Sequence, residues 1–265
     1  MAKIYIGTSG YSYKDWIGPF YPQDTAPQEF LNLYNNEFNF VELNFSYYRQ
    51  PDALLLKRMA EKTHENFLFA IKAHKSMTHD ISDNIAKDIE VFKQGIKPLI
   101  QAHKLGTILI QFPYSFHYTP NNRRHLAILS STLAELPLAL EFRNIEWIKE
   151  PVFSELEQRN ICFVNVDQPD LPRLIKPSEI VTADLAYIRF HGRNRQMWWK
   201  GDNISRYDYL YDDDELQGWI ERIKVIIEKA KILLIAFNNH SRGQAVQNAR
   251  RLKELLVLNN IKQVH

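Results

Sequence analysis

The chain has 265 residues, of which 45% are hydrophobic and 12% aromatic, a composition typical of a soluble globular protein. Its 33 lysine and arginine residues nearly balance 31 aspartate and glutamate residues, which leaves a formal net charge of +2. This balance excludes a polybasic protein that binds nucleic acid or anionic membranes through its overall charge.

The single cysteine, Cys162, excludes an internal disulfide framework. It lies in the apolar run 161–164, which indicates a buried, unreactive thiol and a reducing compartment. The first residues are too polar for a signal peptide, and no apolar run is long enough to span a bilayer. The sequence therefore predicts a cytoplasmic protein with no membrane partner.

Short β-branched or aromatic runs alternate with longer amphipathic stretches along the chain. The predicted strands are residues 3–8, 39–44, 67–72, 106–112, 138–142, 161–166, 186–191 and 232–238. The predicted helices are residues 28–36, 52–61, 84–103, 122–133, 151–159, 213–229 and 243–258. The sixth strand is followed, after Asp167, by a proline-rich irregular connection in place of a helix.

Eight such units in this length are typical of a (β/α)8 barrel of the TIM type, here one domain over residues 1–265. A doubly wound open sheet is the alternative, and it requires a glycine-rich dinucleotide turn after the first strand. The segment 7–11 lacks the third glycine of that turn, so its glycines are expected to form a tight turn at the barrel mouth.

Alternation along the predicted strands indicates which side chains face the barrel axis. The face that packs against the helices must be apolar, so the polar residues between the apolar ones should point inward. These residues lie mostly at the C-terminal strand ends, where barrel enzymes hold their catalytic groups. They are Glu42, Asn44, Lys72, Gln111, Glu141, Arg143, Asp167, Arg189, His191 and Asn238.

Several motifs together resemble the YecE-like family, the domain of unknown function numbered 72. They are Gly7-Thr8-Ser9-Gly10-Tyr11, Trp16 with Phe20-Tyr21-Pro22, Val41-Glu42-Leu43-Asn44 with Tyr48 and Pro51, Lys72 with Thr78-His79, Gln111-Phe112-Pro113, Glu141-Phe142-Arg143, Asp167, Arg189-Phe190-His191-Gly192-Arg193 and Phe237-Asn238-Asn239-His240. The resemblance covers almost the whole chain and implies a TIM-type barrel. The family has no established activity, so the resemblance supports the fold and the site but not a reaction.

Four cations at or just beyond the strand ends suggest an anion site. Lys72, Arg143, Arg189 and Arg193 present groups that bind phosphate or carboxylate, the guanidinium groups in a bidentate manner. The alternative is that these cations only neutralise Glu42, Glu141 and Asp167 in a structural network. Both can hold, because a network that neutralises part of the charge leaves the rest for a ligand.

Acid–base catalysis is predicted from three residues on neighbouring strands. Glu141 or Asp167 would act as general base and His191 as a proton shuttle near neutral pH. The further predicted substrate contacts are Glu42, Asn44, His79, Gln111, Asn238 and Asn239.

A divalent metal is a less favoured alternative, and no cofactor is required. Its ligands would come from Glu42, Glu141, Asp167, His191 and His240. No His-x-His or His-Glu-x-x-His spacing occurs, so no metal ligands are assigned.

Residues 193–212, the mouth loop, form the longest insertion and contain the exposed-looking pair Trp198-Trp199. Residues 173–206 carry seven bases against three acids, and bases beside tryptophans are typical of a nucleic-acid surface. A lid over a small ligand, or a patch for a partner, is the favoured interpretation. The stretch 208–221 follows with six acids and no base, which would repel a long polyanion.

The sequence thus predicts an enzyme that acts on a phosphorylated or otherwise anionic substrate, as a hydrolase or phosphodiesterase. The alternatives are a module that binds nucleic acid or an anionic ligand without turnover, a sugar isomerase, and a scaffold that docks a partner. The oligomeric state does not follow from the sequence.

Overall fold

Eight parallel strands close into a barrel in the computed structural model, which describes residues 2–81, 84–202 and 204–264. The strands pair in chain order, and the first pairs with the last. They are β1 (Lys3–Ser9), β2 (Phe40–Leu43), β3 (Leu68–Lys72), β4 (Leu105–Gln111), β5 (Leu138–Glu141), β6 (Cys162–Asp167), β7 (Leu185–Phe190) and β8 (Ile232–Phe237).

Helices connect the strands on the outside of the barrel. They are α1 (Phe30–Asn35), α2 (Phe45–Tyr48), α3 (Ala53–Lys62), α4 (Lys75–Thr78), α5 (Ile85–Gln101), α6 (Pro120–Thr132), α7 (Glu150–Gln158), α8 (Asp213–Lys229) and α9 (Gln244–Leu258). Single 3-10 turns lie at Lys14–Trp16, Pro27–Glu29, Ile145–Trp147, Ser205–Tyr207 and Ser241–Gly243.

The predicted (β/α)8 barrel is confirmed, and every predicted strand lies within one residue of the observed one at each end. The connection 168–184, between β6 and β7, contains no helix, as its prolines predicted. Helices α2 and α4 were not predicted, because a helix of four residues is too short to show a hydrophobic period.

Cys162 is fully buried, and burial raises the pKa of its thiol, in agreement with the predicted unreactive cysteine. No helix within the described ranges is long and apolar enough to cross a membrane.

Gly7 of β1 lies opposite Phe40 of β2. A Cβ atom on this residue would lie 1.8 Å from the carbonyl oxygen of Phe40, so the backbone must move to admit it. We expect Gly7→Ala to lower the free energy of unfolding by about 3 kcal/mol, measured by urea denaturation.

Gly218 provides the matched control for this substitution. It is exposed within α8, and a Cβ there meets nothing within 4 Å. Gly218→Ala should raise the free energy of unfolding by about 0.5–1 kcal/mol, since alanine is the better helix former. Equal effects at the two positions would contradict the role given to the close approach at Gly7.

Candidate functional site

A cavity of about 600 Å³ opens at the C-terminal ends of the strands. Its walls combine aromatic and cationic side chains with a few amides. The lining residues are Tyr13, Asn44, Tyr47, Tyr48, Lys72, His79, Gln111, Pro113, Tyr114, Arg143, Leu174, Arg189, Trp198, Trp199, Arg206, Tyr207, Asn238 and His240. We call this space the mouth cavity.

The floor of the mouth cavity is an ion-pair cluster around Arg189, which is almost completely buried. The Arg189 guanidinium donates from Nε to Glu42 Oε2 at 2.7 Å and from Nη2 to Glu42 Oε1 at 2.6 Å. Its Nη1 donates to Glu141 on the other side. Ser9 and Tyr187 each donate a hydroxyl hydrogen bond of 2.5 Å to Glu42.

These contacts keep both carboxylates charged. Burial by itself would raise the pKa of Glu42, but Arg189 outweighs it and leaves the pKa below its ordinary value. Burial opposes ionisation of Glu141 as well, and Arg143 and Arg189 together hold its pKa well below the ordinary range. Neither side chain is exposed, and neither lines the mouth cavity. The predicted roles of Glu42 as a substrate contact and of Glu141 as a general base stay predictions.

His191 is fully buried beside Glu141. Its Nδ1 lies 3.1 Å from the Asn238 amide nitrogen, and its Nε2 lies 3.2 Å from Glu141 Oε1 without the geometry of a hydrogen bond. Burial, reinforced by Arg143, lowers the pKa of His191 to about 3. This imidazole is therefore neutral at physiological pH, and the role of His191 as a proton shuttle stays a prediction.

Lys72 and Arg143 are the cations that reach the cavity from β3 and from just beyond β5. Lys72 Nζ donates to Gln111 Oε1 at 2.8 Å and lies 4.5 Å from the ring centre of Tyr47. Arg143 Nε lies 2.6 Å from Glu141 Oε1, and its guanidinium is 5.6 Å from the ring centre of Trp198. The predicted placement of Lys72, Gln111 and Arg143 at the mouth is confirmed.

Two further predicted residues, Asn44 and His79, also line the cavity. The Oδ1 atom of Asn44 is buried and has no hydrogen-bond partner among the described residues, so it is available to a ligand. Burial, together with the charge of Lys72, lowers the pKa of His79 to about 4, so its imidazole is neutral at physiological pH.

Asp167 does not face the barrel axis, and its predicted role as a base at the mouth is wrong. Its carboxylate accepts hydrogen bonds from Tyr211 at 2.8 Å and from Trp219 Nε1, on α8, at 2.7 Å. Arg193 adds a bidentate pair at 2.8 and 2.6 Å. In β6 the valines face inward and the polar residues outward, because Asp167 finds charged and polar partners between the sheet and α8.

Asp167→Asn tests this placement. We expect the free energy of unfolding to fall by about 3 kcal/mol, since an amide cannot accept all the hydrogen bonds of a buried carboxylate. Binding of anions in the mouth cavity should stay within about twofold of the wild type. A selective loss of ligand binding, with unchanged stability, would restore Asp167 to the site.

Arg193 and Asn239 are likewise placed outside the mouth cavity, against the prediction that they contact a substrate. Arg193 is paired with Asp167 and with Glu215 at 2.9 Å. Asn239 is fully buried and donates to the Tyr209 carbonyl and to Asn248 Oδ1, both at 2.8 Å. Arg193 therefore joins the mouth loop to β6 and α8, and Asn239 joins it to α9.

The mouth loop folds over the cavity, although its residue 203 lies outside the described part of the chain. Trp198 is buried at 3% exposure, against the expected exposed pair, whereas Trp199 is 54% exposed. Arg206 and Tyr207 also line the cavity. The sequence counted Arg206 only among the seven bases of residues 173–206, and it did not identify Tyr207. The buried Nε of Arg206 has no hydrogen-bond partner among the described residues.

No three histidine, cysteine, aspartate or glutamate side chains come together in a metal-binding group within the described ranges. Of the candidate ligands, Asp167 is outside the barrel, and Glu42 and Glu141 are engaged by arginines. The residues present therefore do not fit the less favoured metal site.

The closed barrel and its cationic, aromatic cavity at the C-terminal mouth define a protein of the (β/α)8 class. The sequence matches the family model described as protein of unknown function DUF72 over residues 5–264. The chain therefore belongs to the DUF72 family. This confirms the predicted family 72, while the narrower YecE-like name is not confirmed.

Three relatives agree with this assignment. The UPF0759 protein YunF of Bacillus subtilis is 31% identical, over 96% of this chain and 94% of its own. A DUF72 family protein from Thermotoga maritima has a crystal structure with a TM-score of 0.89 and 38% identity, covering 96% of this chain and 99% of that chain. One from Enterococcus faecalis has a TM-score of 0.85 and 26% identity, covering 99% and 100%.

Proposed function

We propose that this protein is an enzyme that acts on a phosphorylated or otherwise anionic small molecule bound in the mouth cavity. One observation carries the proposal: among the described lining residues, every charged side chain is a cation. They are Lys72, Arg143, Arg189 and Arg206.

The cluster beneath the cavity neutralises only part of this charge. Glu42 and Glu141 provide two carboxylates against four cations, so two positive charges remain for a ligand. Arg189 is fully engaged by the carboxylates, which leaves Lys72, Arg143 and Arg206 as the groups that meet an anion. In this proposal Glu141 positions Arg143 and Arg189 and does not touch the substrate.

The aromatic walls add a second requirement on the ligand. Trp198, Tyr207 and Tyr47 present ring surfaces around the cavity. A volume of about 600 Å³ accommodates a molecule of the size of a sugar phosphate or a nucleotide. The substrate class is therefore a compact anion with a ring or another flat part.

Arg206→Gln is the sharpest test, because Arg206 has no ion-pair partner among the described residues and its loss leaves no carboxylate unpaired. We expect affinity for inorganic phosphate and for a mononucleotide to fall about tenfold or more, measured by isothermal titration calorimetry, since a charged hydrogen bond contributes roughly 1.5–3 kcal/mol.

Arg195→Gln is the matched control, since Arg195 is exposed on the same loop and does not line the cavity. Equal losses in the two variants, or no binding of any anion by the wild type, would contradict the proposal. A single-stranded oligonucleotide belongs in the same titration. The exposed Trp199 at the rim favours this second ligand, and tighter binding of the oligonucleotide than of the mononucleotide would indicate a nucleic-acid site.

A further inference from the structure

Lys72 differs from Arg143 and Arg189 because none of the described carboxylates pairs with it. Arg189 pairs with Glu42 and Glu141, and Arg143 pairs with Glu141. Lys72 forms no ion pair with any described residue, and its contacts are the Gln111 carbonyl oxygen and the face of Tyr47. A lysine in this position faces the cavity with little to stabilise its charge.

The surroundings of Lys72 favour the neutral amine. Burial, followed by the nearby charges of Arg189 and Arg143, lowers the pKa of Lys72 to about 8, although Glu141 and Glu42 oppose the shift. His79 and Tyr47 are the other titratable groups beside it, and both are neutral near pH 8. Near neutral pH, Lys72 is therefore the neutral amine, with a free lone pair on Nζ, in a fraction of the protein molecules.

We propose that Lys72 is the nucleophile of the mouth cavity and forms an imine with the carbonyl group of an anionic aldehyde or ketone. This inference rests on the proposed function and names the substrate class more narrowly. Desolvation and a neighbouring cation are the two ways in which proteins activate a lysine for this chemistry, and Lys72 has both.

The covalent step is balanced without any other reactant. The lone pair of the neutral Nζ attacks the carbonyl carbon, and the carbonyl oxygen takes up a proton as the amine loses one, which gives a carbinolamine. The carbinolamine hydroxyl then takes a proton from solvent water and leaves as water while the carbon–nitrogen double bond forms, and the nitrogen returns one proton to the solvent to give the imine. Arg143 and Arg206 hold the anionic group of the substrate, and the ring of Tyr47 keeps water from one side of the amine.

Reductive trapping tests this inference directly. The protein is incubated at pH 8 with dihydroxyacetone phosphate, pyruvate or phenylpyruvate and then treated with sodium borohydride, which converts an imine into a stable secondary amine. The uncharged counterparts dihydroxyacetone, hydroxyacetone and phenylacetone are run in parallel. We expect peptide mass spectrometry to find the adduct of at least one anionic probe on Lys72, at least tenfold above that of its uncharged counterpart.

Two variants complete the design. Lys72→Arg keeps the positive charge but cannot form an imine, and it should abolish the adduct while inorganic phosphate still binds. Lys75→Arg is the matched control. Lys75 lies three residues away on α4, its side chain is 45% exposed and it is paired with Asp80, so this variant should keep the adduct. Mapping the adduct on the wild type does not depend on how well either variant folds.

The outcomes separate the two proposals. Phosphate binding without an adduct on Lys72, or adducts spread over exposed lysines, overturns the nucleophile and leaves the anion site standing. No binding of phosphate or of any anionic probe overturns the proposed function and the nucleophile with it. An adduct on Lys72 that needs the anionic group of the probe supports both.

Discussion

Arg189→Met is expected to lower the free energy of unfolding by about 3–5 kcal/mol, the effect of leaving buried carboxylates without their partner. Arg189 is the shared partner of Glu42 and Glu141, and none of the three side chains is more than 2% exposed. Methionine has a similar volume and leaves no large cavity, so the loss reports the charge. Urea denaturation at pH 7, checked by circular dichroism and tryptophan fluorescence, measures it.

The pH dependence of this effect has a definite sign. The pKa values of Glu42 and Glu141 are lowered in the folded protein, so their pairing with Arg189 stabilises it above the ordinary glutamate pKa of about 4.3. That contribution is lost as the pH falls through the lowered values. The difference between wild type and Arg189→Met should therefore be largest near neutral pH and should shrink below about pH 4.

Arg222→Met is the matched control, because Arg222 pairs with Glu179 at the surface and both side chains are more than a third exposed. We expect a change within about 0.5 kcal/mol. A loss at Arg189 no larger than the loss at Arg222 would contradict the structural role of the buried cluster.

Glu141→Gln should also lower the free energy of unfolding by about 3–5 kcal/mol, because it removes the charge shared by Arg143 and Arg189. The same substitution is expected to raise the affinity for an anionic ligand. Arg143 loses its carboxylate partner and stays at the wall of the mouth cavity, so inorganic phosphate should bind about fivefold more tightly, the effect of roughly 1 kcal/mol of added attraction.

Glu155→Gln is the control for this second result, since Glu155 pairs with Arg159 on the exposed face of α7. It should change neither phosphate affinity nor stability measurably. If Glu141→Gln leaves phosphate affinity unchanged but abolishes a turnover found for the wild type, Glu141 is catalytic. Its buried position in the ion-pair cluster would then not keep it from the reaction.

Alternation along the strands was a reliable guide where the side chains between the strand and its covering helices are apolar. It placed Lys72, Gln111 and Arg143 at the mouth, because the apolar residues between them are needed outside the barrel. It failed at β6, where Asp167 points to the outside. That side chain is satisfied by Trp219, Tyr211 and Arg193, which lie 26 or more residues further along the chain, and no local pattern contains this information.

The alternation of residues along the strands also did not predict the aromatic walls of the cavity. Tyr13, Tyr47, Tyr114 and Tyr207 come from loops and single helical turns, where no period distinguishes an inward side chain from an outward one. The resemblance to a family did indicate the right segments of chain. It did not indicate which of their side chains meet in the cavity, as the burial of Asn239 away from it shows.

The sequence by itself determined the eightfold alternation of strands and helices, and with it the barrel and the end of the barrel that carries the polar groups. These follow from the hydrophobic period and from the fact that parallel strands bring their C-terminal ends to one mouth. Only the tertiary structure decided how the charges are shared, because pairing depends on distances between side chains that are far apart in the chain. It assigned Arg189 to the glutamates and Arg193 to Asp167, and it paired Lys72, inside the cavity, with none of the carboxylates in the described part of the chain.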